Sequence, residues 1–201
     1  QAVDEANPTR AAIRLPIGSR ARMVIAVSDL DGNVLGLYRM PDATVFSIDV
    51  AVAKSRNASY FSSDRRHPSD LPGIPPGIAV SNRTIGFTSQ PMYPPGIDGT
   101  DVGASWDLYL RDMASPCTQG FDTQNPLNTN GVIFFPGSLP LYRGGRLVGG
   151  LGVSGDGVEQ DDLVSAAAAR SFAAPSAIQA TRVILGGIRL PYLKFPRNPY
   201  Q

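Results

Sequence analysis

Two β-rich runs of apolar residues mark the first regular element. Arg22 to Asp29 and Val34 to Met40 are rich in β-branched and aliphatic residues, and Asp31-Gly32 between them tolerates positive φ, so the two runs are expected to pair as a hairpin. After Pro41 the period changes. Val45, Ile48 and Val52 recur on one helical stripe with Phe46, Val50, Ala53 and Tyr60 beside it, which predicts a helix from Val45 to about Phe61. Its first half is apolar around most of its circumference and so calls for burial on more than one side, by a sheet and then by a second copy of the chain. Regularity returns with three further strands, at Gly131 to Phe135, Leu139 to Tyr142 and Leu147 to Val153, the last two joined by a Gly144-Gly145 turn. Ser154-Gly155-Asp156-Gly157 then opens an Ala-rich helix over Val158 to Ala174 that Pro175 ends. The order β-β-α, insertion, β-β-β-α predicts an α+β domain with a five-stranded, mostly antiparallel sheet and flanking helices.

Between these halves the pattern breaks down. Seven prolines and four glycines between Pro68 and Asp98 exclude regular helix and central strand, while Ile74, Ile78, Phe87, Met92 and Tyr93 supply apolar anchors. The excursion continues through Trp106 to Leu110, a short helix, to about Asn130. An insertion over about 67–130 either covers a pocket or partner, or patches one sheet face. At 201 residues the chain is expected to be one domain, 1–201, with this insertion and an extended tail from about 175 to 201.

Charge sharpens the picture of the tail. The net charge is +1, but the acidic residues stop at Asp162, so residues 163–201 carry five basic residues and no acid. The first 162 residues hold 13 basic against 17 acidic side chains. Five cations over that length are too sparse for a nucleic-acid arm, which leaves the chain's own body, a neighbouring copy or another protein as the tail's partner. Pro191, Pro196 and Pro199 forbid helix there, and Tyr192, Phe195 and Tyr200 offer anchors for an arm docked on a partner. No apolar run reaches the roughly 18 residues of a spanning helix. The start at Gln1 is compatible with a processed, exported protein, and the compartment is otherwise left open.

The candidate chemistry is sparse. Cys117 is alone, which excludes an intrachain disulfide and a Cys-based zinc site. His67 is the only histidine, so Ser-His-Asp and Cys-His arrangements within one chain are lacking, and no phosphate-binding glycine loop follows a strand. The glycine bend at Gly152-Val153-Ser154-Gly155 brings free N–H groups to a helix start, where an anionic group can sit. Against that, Asp156, Glu159, Asp161 and Asp162 already crowd the first turn and complete the helix dipole as structural carboxylates. Asp161 or Asp162 could also serve acid–base chemistry on a small metabolite.

Four stretches carry a family resemblance: VIAVSDLDGNVLGLYRM (Val24 to Met40), SIDVAVAKSRNASYF (Ser47 to Phe61), FPGSLPLYRGGRLVGGLGVSGDG (Phe135 to Gly157) and VEQDDLVSAAAA (Val158 to Ala169). Together they resemble the GlcG/HbpS-like haem-binding family, whose domain also occurs at the C-terminus of PduO-type cobalamin adenosyltransferases. The resemblance implies a small profilin-like α+β domain that assembles into oligomers and is often linked to haem, corrinoid or iron binding, with a poorly defined activity; the expectation for this chain is a non-enzymatic module for haem or a related tetrapyrrole. It implies a propionate at the glycine bend, contacted by Ser154, Gly155, Gln160 and Asp161, with Arg39 and Lys54 as cationic partners. Any imidazole ligand to haem iron is then His67, or a residue of another copy; Cys117, Met23, Met40, Met92 and Met113 are the other conceivable axial ligands. The alternative from a different class is an accessory subunit whose core and extensions build an assembly and hold no cofactor.

Overall fold

The computed structural model describes residues 1–114 and 126–201. After a short helix α1 (Ala2–Ala6), strands β1 (Val24–Ser28) and β2 (Val34–Arg39) form the expected hairpin. Its turn is tied by Asp29, whose Oδ1 accepts from the N–H groups of Asp31 at 2.9 Å and Asn33 at 2.8 Å, while Gly32 takes φ 78°. Strands β3 (Ser138–Arg143) and β4 (Arg146–Ser154) form the second hairpin. The strands assemble antiparallel in the order β2-β1-β4-β3, so β4 is central and β2 is an edge.

The sheet thus has four strands rather than five. Gly131 to Phe135 is apolar enough to read as a strand, but its backbone is claimed by side chains from distant segments. Asn57 Oδ1 accepts from Ile133 N–H (2.8 Å), Asn57 Nδ2 donates to Gly131 O (3.0 Å), Asn82 Nδ2 donates to Ile133 O and Asp112 Oδ1 accepts from Val132 N–H (3.0 Å). These four backbone groups are taken by side chains and are not free for a strand ladder.

Helix α2 (Ser47–Ser62) lies on one face of the sheet. The approach depends on glycine: a Cβ at Gly150 would sit 2.0 Å from Ser55 O, and one at Gly152 would sit 2.0 Å from Ala51 O. Because side chains alternate across a strand, Leu139 and its cross-strand neighbour Leu151 face the other way. There helix α5 (Val158–Ala168) covers them, Leu139 sharing a cavity wall with Ala166 and Ala169. The order of layers is α2, sheet, α5, with α1 against α5. Helix α5 is shorter than the apolar pattern predicts, because a 3₁₀ turn over Arg170–Phe172 precedes Pro175. Val45 and Phe46, assigned to the first helix by their periodicity, stand just before α2 and are 69 % and 68 % exposed.

The described part of the insertion holds two helices. Prolines cluster over 68–76 and 91–95, and the proline-free gap between them forms helix α3 (Asn82–Thr88), where the overall proline density argues against any regular helix. A capping box between Ser81 and Thr84 starts it. Helix α4 (Trp106–Ala114) follows as the short helix expected there. The tail includes a two-residue ribbon, β5 (Ile184–Leu185) with β6 (Ile188–Arg189), and returns to the chain's own body. Ser81 Oγ donates to Tyr192 O (2.5 Å), Thr84 Oγ1 donates to Pro191 O (2.7 Å), Arg10 N–H donates to Pro199 O (2.6 Å) and Leu190 is fully buried.

The glycine seam yields a direct test. Gly150→Ala or Gly152→Ala is expected to destabilise the fold by about 3 kcal/mol or more, because backbone atoms cannot yield as side chains do. Gly36→Ala on β2 meets open space and should change stability by less than about 1 kcal/mol. Urea unfolding of the three variants measures the contrast.

Candidate functional site

The bend that ends β4 is built for close packing. Gly155 has φ +151°, and a Cβ there would sit 2.2 Å from Arg22 O. Ser154 is buried, with its Oγ 3.2 Å from Ser47 Oγ at the start of α2. Asp156 Oδ1 accepts from the N–H groups of Ala12 (2.5 Å) and Gly157 (2.8 Å), and its Oδ2 lies 3.6 Å from Arg14 Nε. Gln160 Nε2 donates to Arg10 O at 3.2 Å. Asp156 and Gln160 therefore fasten residues 10–14 to the start of α5.

The next two acids point apart. Asp161 Oδ2 lies 2.9 Å from Lys54 Nζ, which also donates to Val153 O (2.8 Å) and sits 4.7 Å from the centre of the Phe135 ring. Lys54 is wholly buried and Asp161 is 2 % exposed, so this ammonium neutralises an internal carboxylate. Asp162, also wholly buried, takes Arg83 Nε at 2.5 Å, Gly137 N–H at 3.0 Å and Lys194 N–H at 3.0 Å. One carboxylate thus joins the insertion, the loop before β3 and the tail. Burial raises the Asp161 carboxyl to about 6 against the opposing pull of Lys54. Burial also raises Asp162, with Arg83 the main opposing influence.

The remaining sequence candidates lie elsewhere. Arg39 is on β2, paired with Val24 and so on the α2 side, and donates from Nε (2.9 Å) and Nη2 (2.5 Å) to Ala43 O. His67 is exposed beyond the other end of α2; its Nδ1 is 2.6 Å from Ser69 Oγ and accepts from Ser69 N–H at 3.3 Å. From Ser47 to Ser62 the helix rises about 24 Å, so Ser154 and His67 serve opposite ends. Met23 and Met40 are buried against each other, Met92 is half-buried, Met113 is exposed, and Cys117 lies outside the described residues. Among the described residues no group of three His, Cys, Asp or Glu side chains is placed to hold a metal. Nor among them is any helix long and apolar enough to cross a membrane.

Sequence reasoning does not single out two features. One is Arg83, whose only signal is a cation beside a capping serine. The other is β2, all of whose residues are exposed, including Leu35 at 66 %. Its sequence, Val34-Leu-Gly-Leu-Tyr-Arg39, reads as a strand without telling which face is covered.

Residues 9–170 match the family described as "Haem degrading protein HbpS-like". Corrinoid adenosyltransferase PduO of Salmonella typhimurium is 28 % identical over 153 residues, covering 76 % of this chain and 33 % of that protein, so the chain spans about a third of this relative's length. Among solved structures, Klebsiella pneumoniae protein ORFY is similar at 25 % identity and TM-score 0.49, over 76 % of this chain and 75 % of that one. A PduOC:heme complex is similar at 25 % identity and TM-score 0.46, over 74 % of this chain and 78 % of that one.

The internal pair generates a thermodynamic test. Lys54→Met or Asp161→Asn alone should cost about 3–5 kcal/mol, and the double substitution much less than their sum, as read by urea unfolding. The pH dependence follows in sign. A carboxyl raised from 3.8 to about 6 keeps its proton in the folded state where the unfolded chain has released it, so its contribution to stability falls as pH rises through that window and is flat above it. Removing the Lys54 charge pushes Asp161 further up, so Lys54→Met should destabilise more at pH 8 than at pH 5.

Proposed function

The chain belongs to the HbpS-like family, matched across residues 9–170, and from that premise we propose that it is a tetrapyrrole-binding module that acts as an assembly of identical copies and binds rather than transforms its ligand. In this reading residues 1–201 form one domain, with the insertion at about 67–130 and the tail from about 175.

The observation that carries the reading is the uncovered edge of the sheet. Leu37 pairs with Ala26 and Arg39 with Val24, which sets both on the α2 side of β2, next to the exposed Phe46 that precedes α2. Tyr38 pairs with Ile25 and is exposed on the opposite side. An edge strand with apolar side chains on both faces and unpaired backbone groups favours a second copy as its cover. A flat apolar macrocycle with anionic substituents suits the seam of two such edges, where Arg39 can meet a propionate.

Within one copy the residues at hand do not fit a complete haem site. Lys54 and Asp161 are spent on each other, and Ser154 and Gly155 are enclosed. A group contacted by Arg39 lies most of the length of α2 from His67. In the proposed assembly, iron ligation by His67 is therefore ligation by a neighbouring copy, through the Nε2 left by the Nδ1 contact to Ser69.

The family's description speaks of haem degradation, which gives a second reading, haem consumption. The binding reading draws support from the use of Asp161 and Asp162, the conceivable acid–base pair, in buried ion pairs. A third reading, an accessory subunit without cofactor, draws on the exposed Phe195 and Tyr200 of the tail.

Haemin titration with absorbance and sedimentation decides among them. The expected result is a shifted Soret band that persists under ascorbate, a particle larger than one chain, and loss of both on Leu37→Asp. His67→Ala should alter the axial-ligand bands. No Soret shift rules the module out in favour of the subunit reading, and bleaching under ascorbate rules for consumption.

A further inference from the structure

We propose that this chain carries a second binding site, independent of the tetrapyrrole reading, for a small monocarboxylate with a flat apolar body. The site is a cavity of about 440 Å³ between the insertion, the loop before β3 and the tail. Its walls include Phe87 from α3, Phe134 and Pro136 from the loop, and Leu193 from the tail, with Arg83 and Lys194 as its cations and no acidic residue in the lining. The tail, which supplies Leu193 and Lys194, lies beyond residues 9–170, the span matched to the family.

The cavity is held open by rigid parts. The Phe87 ring meets Tyr93 edge-on with centroids 5.5 Å apart, and Phe134 meets Tyr109 likewise at 5.3 Å. Gly86 also lines it, and a Cβ there would fall 2.0 Å from Phe134 O, so α3 can lie against the loop only as glycine allows. Asp162 fixes all three walls at once through Arg83, Gly137 and Lys194. A preformed apolar cavity of this size with a few polar groups is the usual form of a small-molecule site.

The polar groups select the ligand class. Arg83 gives Nε to Asp162, and its Nη2 is enclosed with no acceptor among the described residues, so the guanidinium meets the cavity only through the 15 % of the side chain that stays exposed. Lys194 Nζ reaches Glu159 at 2.5 Å in a pair exposed at 67 % and 30 %, which solvent screens and a ligand can displace. Arg83 and Lys194 are each matched by one carboxylate, so the site is balanced in charge, and an anion of single charge takes Lys194 in the place of Glu159. Apolar walls reject a multiply charged or sugar-like body.

The probe is 4-fluorophenylacetate, followed by ¹⁹F NMR on the full chain, with 4-fluorobenzyl alcohol and acetate as controls. The acid is expected to bind about tenfold or more tightly than either control. Leu193→Trp, which fills the cavity, should abolish binding with an unchanged thermal midpoint, and Lys194→Gln should weaken it about fivefold. Equal binding of acid and alcohol, or binding retained in Leu193→Trp, overturns the proposal. So does absence of binding to the unaltered chain, and because haemin binding is read separately, that failure leaves the tetrapyrrole reading standing.

Discussion

A buried ammonium has to find an acceptor, and in this chain Lys54 finds it across the end of the sheet. Lys54 stands on α2 and Asp161 on α5, helices that cover opposite faces, so their 2.9 Å contact closes the layers on each other where β4 ends. The glycines of β4 let α2 descend far enough for that reach, and Gly137 keeps the space beside Lys54 Nζ clear: a Cβ there would lie 2.6 Å from it. Breaking such a pair leaves an uncompensated charge in the interior, whereas forming it adds little net stability. Its role is to fix which helix lies where.

With these charges spent inside, the surfaces proposed for recognition are ones the pair leaves uncovered. The β2 edge is one. The cavity beside Asp162 is another, and it exists because the acid following Asp161 points the other way and gathers Arg83, Gly137 and Lys194. Two adjacent aspartates thus divide the labour, one locking the layers and one assembling the extras that the insertion and tail bring.

Local signals made much of this legible in the residues. The Asp-Gly turn, the stripe from Val45 to Phe61 and the glycine bend before Val158 each specify an element through near neighbours; the hairpin and the start of α5 lie where the pattern puts them, and α2 starts two residues later, at Ser47. The rest depends on long-range partners that no window contains. Gly131 to Phe135 loses its strand to Asn57, Asn82 and Asp112, and the tail's docking on Ser81 and Thr84 spans more than a hundred residues. Family resemblance pointed to Lys54 and Asp161 as residues of note, but only coordinates show that they face each other. The exposure of β2 was equally hidden, because a run of strand-forming residues says nothing about which face is covered.

The most direct measurement is the carboxyl ¹³C titration of Asp161 with and without haemin. Enclosure raises this carboxyl to about 6 against the pull of Lys54, so it is expected to titrate above an ordinary aspartate, and haemin should leave it unmoved while the signals of β2 respond. Titration in the ordinary range, or a shift of Asp161 on adding haemin, would contradict the account and return the ligand to the glycine bend.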